Sequence, residues 1–327
     1  ARYPANELMN AATTTKLPID SCTISYSDII EVVLEIFVAV PSITVYVLLF
    51  HIHTCRRTVQ ILNESFFLLF LLTAFLATLL FLINFVTLRM PGIGLFCGYL
   101  IQAKLYTPSY TLAFFYFLNY YAQYALVFSI AVVSFNRMSS IVFALSFNET
   151  WRRLTPVSFI LVLLLPLLLS WHLIVSPAYY GPVSNGLAMD YTRVFSNYPR
   201  NSLLNLITHI VCSVLVTLST LITAAKMTSM AKRHKKSEMS LLIVGTLQSF
   251  GVLLMAAHQL VMYLAFNATL LKMRFIIVDY MCFCPSLSLL LLSASVRNEI
   301  ISYVDPRRKH IHSSLVPRSI NTSRLDL

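Results

Sequence analysis

Residues 157–176 read VSFILVLLLPLLLSWHLIVS, twenty residues without an Asp, Glu, Lys or Arg. At about 1.5 Å of rise per residue, a helix of that length covers about 30 Å, the thickness of a bilayer's hydrocarbon layer. Water is absent there, so only a helix or a closed barrel can pair its own backbone N–H and C=O groups. The run lacks the alternating, turn-punctuated pattern of a barrel strand and therefore reads as a helix. Working outward, six more runs of the same kind lie at 29–50, 66–86, 111–135, 203–227, 239–266 and 275–296. The expected fold is an all-α membrane protein, a seven-transmembrane helix bundle over residues 28–297, flanked by an N-terminal tail (1–27) and a basic C-terminal tail (298–327). The short apolar stretch from Gly92 to Phe96 is limited by Pro91, Lys104 and Pro108 and reads as an outer loop dipping into the interface.

Composition excludes the soluble alternative. The AVILMFWYC set makes up 57% of the chain and charged residues 11%, against about a quarter charged in soluble domains. Net charge is +11, which in a soluble protein would raise nucleic-acid binding. Here the charges lie between apolar runs, where anionic membrane lipid headgroups would meet them, so nucleic acid is set aside.

Seven crossings put the termini on opposite sides, and Lys and Arg concentrate on the cytoplasmic side of membrane proteins. With the N-terminus outside, the inner loops hold Arg56, Arg57, Arg137, Arg152 and Arg153, and then Lys226, Lys232, Arg233, Lys235 and Lys236. The outer loops hold Arg89, Lys104, Arg193, Arg200, Lys272 and Arg274. Including the tails, sixteen of the 24 Lys and Arg residues fall inside. The expected orientation is N-terminus outside and C-terminus inside. The first 27 residues, opening with Ala1, contain no apolar signal-peptide core, so the first span is expected to serve as the insertion signal.

Cys212, Cys282 and Cys284 sit within spans and Cys55 on the inner, reducing side. Cys22 and Cys97 remain as a candidate disulfide. Of the Asn-x-Ser/Thr sequons at Asn63, Asn148, Asn267 and Asn321, this topology leaves Asn267 outside. Catalytic signatures are missing: the chain has no phosphate-binding glycine loop, no His-Glu-x-x-His and only seven glycines in all. Neither enzyme activity nor a cofactor is expected.

An ionisable side chain at mid-membrane costs about 2.5 to 3.5 kcal/mol on insertion scales, so the few that are present require a reason. Arg137, after Asn136 at the inner end of the third span, either snorkels to the headgroups or ties that helix to its neighbours in one conformation. Tyr116, Asn119, Tyr120, Gln123 and Tyr124 share one helical stripe, which lines a ligand pocket or bonds helix to helix. His172, His209 and His258, with Asp279, either converge on one cavity or pack separately; without a close His pair, a metal site is not expected. Asp28, Glu31 and Glu35 share a face near the start of the first span, to attract a cation or to pair with Arg89, Lys104 or Arg274. Lys226 and the Lys232, Arg233, Lys235, Lys236 cluster face lipid headgroups or dock a cytoplasmic protein.

SFNRMSSIVFALSFNETW at 134–151 resembles the third-helix end of nematode serpentine chemoreceptors of class gamma. Further strings agree in order: LLLSWHLIVSPAYY at 167–180, AMDYTRVFSN at 188–197, AKRHKKSEMSL at 231–241 and DYMCFCPSLSLLLLSASVRNEI at 279–300. The resemblance implies a seven-helix G-protein-coupled receptor in the membrane of sensory cilia. Such a receptor binds a small-molecule odorant or pheromone outside and activates a heterotrimeric G protein inside. It places Asn136 and Arg137 where such receptors carry an Asp-Arg-Tyr triplet, which makes Arg137 a candidate latch, with Lys232, Arg233, Lys235 and Lys236 as its transducing partners. The candidate pocket is Tyr116, Asn119, Tyr120, Gln123, His172, His258 and Asp279. The chain departs from the family pattern at Ala144, where Pro is frequent, and it lacks Asn-Pro-x-x-Tyr in the seventh span. The alternatives are a ligand-gated channel or small-solute transporter, and an intramembrane hydrolase using the histidines.

Overall fold

The computed structural model describes residues 24, 26–55, 65–183, 186–228, 232–265, 268–292, 296, 297, 300, 301 and 303. Cys22, the Asn267 sequon and most of both tails lie outside the described residues, as do the side chains of Lys232, Arg233, Lys235 and Lys236. Seven long helices form the body: α1 Tyr26–Cys55, α2 Ser65–Asn84, α3 Tyr110–Val142, α4 Phe147–Ser170, α5 Asn201–Thr228, α6 Lys232–Leu264 and α7 Ala268–Leu292. All seven are long and apolar enough to cross a membrane. Each apolar run of the sequence lies mainly on one helix, and most of the helices extend past their runs at one end or both, because polar end turns continue a helix beyond the apolar stretch that reveals it; the 157–176 run instead outlasts α4 and continues through a 3-10 turn, Trp171–Leu173.

Four prolines interrupt three of these helices, Pro41 in α1, Pro156 and Pro166 in α4 and Pro285 in α7, and each removes a backbone N–H from the ladder. Hydroxyls near them turn inward to backbone carbonyls: Ser42 to Val38 O at 2.9 Å, Ser170 to Pro166 O at 2.7 Å and Ser288 to Pro285 O at 3.1 Å. In lipid such back-bonding satisfies the side chain without a water.

Helices α2 and α3 form the centre of the bundle. The main core packs Leu76, Leu80, Leu126 and Ile130 against Val216, Val252, Met255 and Cys282 of α5 to α7. Helix α4 is peripheral, with Leu164 and Leu168 54% and 65% exposed. In a bilayer that exposed leucine face meets acyl chains rather than water.

Helix α2 continues through a π turn, Phe85–Arg89, into a short turn, Met90–Gly92. The Met90 N–H donates to Phe85 O, five residues back. The additional residue rotates everything beyond it by about 100° relative to a regular helix. Arg89 falls at this point and is buried, 3% exposed. A second short helix, Cys97–Gln102, precedes α3, so the stretch read as one outer loop is partly helical. Cys97 is disulfide-bonded.

Between α4 and α5 lies a hairpin that the apolar pattern did not reveal, β1 Ala178–Val183 paired antiparallel with β2 Gly186–Tyr191. Its base is tied to the start of α3 by reciprocal backbone bonds between Ser109 and Ala178, 2.8 and 3.1 Å. Ser109 also caps α3, accepting from the Leu112 N–H at 3.3 Å. Tyr180 reaches from the hairpin to donate to Thr87 O at 2.8 Å, and burial holds its phenol above the ordinary range. At the hairpin tip, a Cβ on Gly186 would lie 2.6 Å from the Gly92 carbonyl carbon. The strand therefore rests directly on the backbone that ends α2, a close approach open only to glycine.

Candidate functional site

Beneath the hairpin lies a cavity of about 80 Å³. Leu187, Ala188 and Met189 of β2 cover it, and Gly92 and Ile93 close one edge. Helix α1 contributes Glu31 and Val32, the end of α2 contributes Leu88 and Arg89, and α3 contributes Tyr120. Lys272, Arg274 and Phe275 complete the wall from α7. Five structural elements thus meet at one cavity with apolar walls and a few charged groups, the usual composition of a small-molecule site.

The charges around it are arranged in pairs. Arg89 lies between two carboxylates, an ion pair with Glu35 on one side and 2.8 Å to Asp279 on the other, with its guanidinium 4.9 Å over the Phe275 ring. Lys272 pairs with Asp28 at 2.8 Å. Arg274 has Gln123 Oε1 at 2.8 Å and the Tyr120 ring 5.4 Å away. Three cations read as loop residues are therefore helix residues, and Arg89 and Arg274 are buried. Asp28 pairs with Lys272 rather than with Arg89, Lys104 or Arg274, and Glu35 is taken up by Arg89.

Of the sequence-derived pocket residues, Tyr120 lines the cavity and Gln123 holds Arg274, which does. Tyr116 stacks between Tyr120 and Tyr191, with centroids 5.0 and 5.3 Å away, and so joins α3 to the hairpin. Asn119 is buried, with neither polar atom of its amide partnered. Tyr124 donates to Asn201 Oδ1 at 3.0 Å. Asp279 serves Arg89 instead of the cavity. The histidines do not converge on it: His172 packs on Tyr198 with centroids 4.5 Å apart, His209 Nδ1 meets Asn205 O at 2.8 Å, and His258 Nε2 meets Leu270 O at 2.7 Å.

At the opposite end of α3 the residues of the 134–151 string contact one another. Asn136 Nδ2 donates to Ser65 Oγ of α2 at 3.0 Å. Trp151 Nε1 of α4 donates to Ser139 Oγ at 2.6 Å, and Ser139 in turn donates to Asn136 O at 2.8 Å. Arg137 is buried, with its guanidinium 5.3 Å over the Phe66 ring, so it does not extend freely to headgroups. One short motif therefore joins α2, α3 and α4.

The family model described as "Srg family chemoreceptor" matches residues 32–300. This chain belongs to the Srg chemoreceptor family. It is a multi-pass integral membrane protein and is similar to curated Srg proteins of Caenorhabditis elegans. Serpentine receptor class gamma-3 is 31% identical over 196 residues, 55% of this chain and 58% of that protein. Serpentine receptor class gamma-10 is 26% identical over 221 residues, 65% and 67%. Serpentine receptor class gamma-13 is 24% identical over 235 residues, 69% and 67%. The match thus spans less than two thirds of the first relative and about two thirds of the other two. The Srg match takes in the α3 motif and every cavity-lining residue except Glu31.

Proposed function

We propose that this Srg protein is a chemosensory receptor that binds a small molecule in the cavity beneath the hairpin and activates a heterotrimeric G protein at the opposite end. The reading puts the N-terminus, the hairpin and the cavity outside the cell and the Arg137 end inside, in line with the Lys and Arg bias. It places the chain in the plasma membrane of sensory cilia, as the resemblance implies.

The single observation that carries the proposal is that α3 bears both ends of the route. Tyr120 and Gln123 belong to the cavity region, and Asn136, Arg137 and Ser139 belong to the α2–α3–α4 junction. A ligand that binds one packing of α3 more tightly than another shifts the balance between them, and the junction responds because it is part of the same rigid element. The apolar core between the two ends favours signalling over conduction, since Leu76, Leu80, Leu126 and Ile130 occupy the middle of the bundle. Arg137, with Asn136, acts as the latch, and the Lys232, Arg233, Lys235 and Lys236 segment at the start of α6 offers the basic surface to the G protein.

The test is expression with a promiscuous G protein and screening of small-molecule extracts. Arg137→Ala is expected to keep surface expression and lose ligand-evoked signalling. A variant that signals normally removes the latch, and current through purified protein in a bilayer lacking any G protein would favour the channel.

A further inference from the structure

We infer that the ligand of this cavity is a small zwitterion, whose carboxylate pairs with Arg274 while its cationic nitrogen faces Glu31. The inference rests on the receptor reading above and names the ligand's chemical class.

The argument depends on which charges at the cavity are already matched. Arg89 is matched by Glu35 and Asp279, and Lys272 by Asp28. Arg274 is different: among the described residues it faces no carboxylate, although it is 8% exposed. Guanidinium carries five N–H donors in a planar fork. Here Nη2 donates to Gln123 Oε1 and Nε is buried without a partner. Gln123 Nε2, a second donor in the same place, is also buried and unpartnered. A buried guanidinium without an anion carries an uncompensated desolvation cost, which an incoming carboxylate removes by accepting from the Arg274 side chain that lines the cavity. The Tyr120 ring on the guanidinium face holds the fork in place.

The wall contributed by α1 has the opposite sign. Glu31 lines the cavity with no ion-pair partner among the described residues. Nearby, Arg89 meets two carboxylates with a single positive charge, which leaves that side negative by one more formal unit. A simple anion would gain at Arg274 and lose at Glu31, and a simple cation the reverse. A zwitterion gains at both. Between the two charges the walls are apolar, with Val32, Leu88, Met189 and Phe275, so the body of the ligand carries hydrocarbon. The small volume points to an amino acid or a similarly compact amino-carboxylic acid.

The experiment uses the full chain, purified into nanodiscs, and measures the shift of its thermal unfolding midpoint with a panel of aliphatic α- and ω-amino acids. Each amino acid is compared with its methyl ester, which lacks the anion, and with its N-acetyl derivative, which lacks the cation. At least one parent compound is expected to stabilise the protein, with apparent affinity reduced at least about tenfold by either cap. Arg274→Gln is expected to abolish the preference for the free acid over the ester, and Glu31→Gln the preference for the free amine over the N-acetyl compound. The unfolding midpoint of each variant without added compound, compared with that of wild type, serves as the folding control. The inference is overturned if no parent shifts the midpoint at millimolar concentration, or if the capped compounds bind as well as the parents. The receptor reading fails separately, when no stimulus of any class evokes a G-protein response.

Discussion

Replacing Arg89 with Met tests the internal electrostatics of the bundle directly. The side chain is 3% exposed, and its partner Glu35 has a side chain 4% exposed, so neither group has water to fall back on. The third member, the Asp279 side chain, is 20% exposed and recovers some solvation when its partner is lost. Removing one member of a buried ion pair costs about 3 to 5 kcal/mol, chiefly because the charge left behind is uncompensated. With each kcal/mol worth about 2 to 4 °C in a chain of this order of size, the unfolding midpoint of Arg89→Met should fall by on the order of 10 °C. A thiol-reactive dye suits the measurement, since Cys212 and Cys282 are buried and become reactive only as the bundle opens. The triple variant Glu35→Gln, Arg89→Met, Asp279→Asn removes the stranded charges together and should recover most of the loss. A midpoint within about 3 °C of wild type for the single variant, or no recovery in the triple, would refute the reasoning, because the ion triad would then be paying no desolvation cost.

Two further outcomes follow from contacts at either end of α3. Gly186→Val forces a side chain into the Pro91 and Gly92 backbone and should displace the hairpin; ligand-evoked signalling is expected to drop while surface expression stays near wild type, and an unchanged response would mean that the hairpin does not form the cavity roof. Trp151→Phe removes the donor to Ser139 Oγ, a loss of about 1 kcal/mol of stability; by loosening the α3–α4 contact it should raise ligand-independent signalling in a second-messenger assay, and unchanged basal activity would detach this junction from the switch.

The candidate site was only partly legible in the chain. Tyr120 and Gln123 are visible in the sequence because a helical stripe of polar residues stands out in an apolar span. In the sequence Arg89 and Arg274 read as outer-loop residues, visible only as possible partners of the α1 carboxylates, because a hydropathy window ends where charge begins, and the groups that make burial tolerable lie 190 and 151 positions away. The π turn that aims Arg89 inward leaves no mark in composition, and the hairpin at 178–191 is too short for its periodicity to stand out. His172, His209, His258 and Asp279 form a group in the sequence because intramembrane polar residues need partners. Each found a different one, in a packed ring, a backbone carbonyl or an arginine. The clearest indication in the sequence is the cluster of Asp28, Glu31 and Glu35 on one face of α1, which calls for cations.

The number of spans and their approximate places were determined by the sequence alone. The transfer of a segment into hydrocarbon is a sum over neighbouring residues, and it can be taken along the chain without knowing what the segment touches. Which charges are paired and which are left facing the cavity was decided only in the folded bundle. The energy of a buried ion depends on the distance to its partner in space, and for Arg89, Lys272 and Arg274 that distance is set by how α1, α2, α3 and α7 pack.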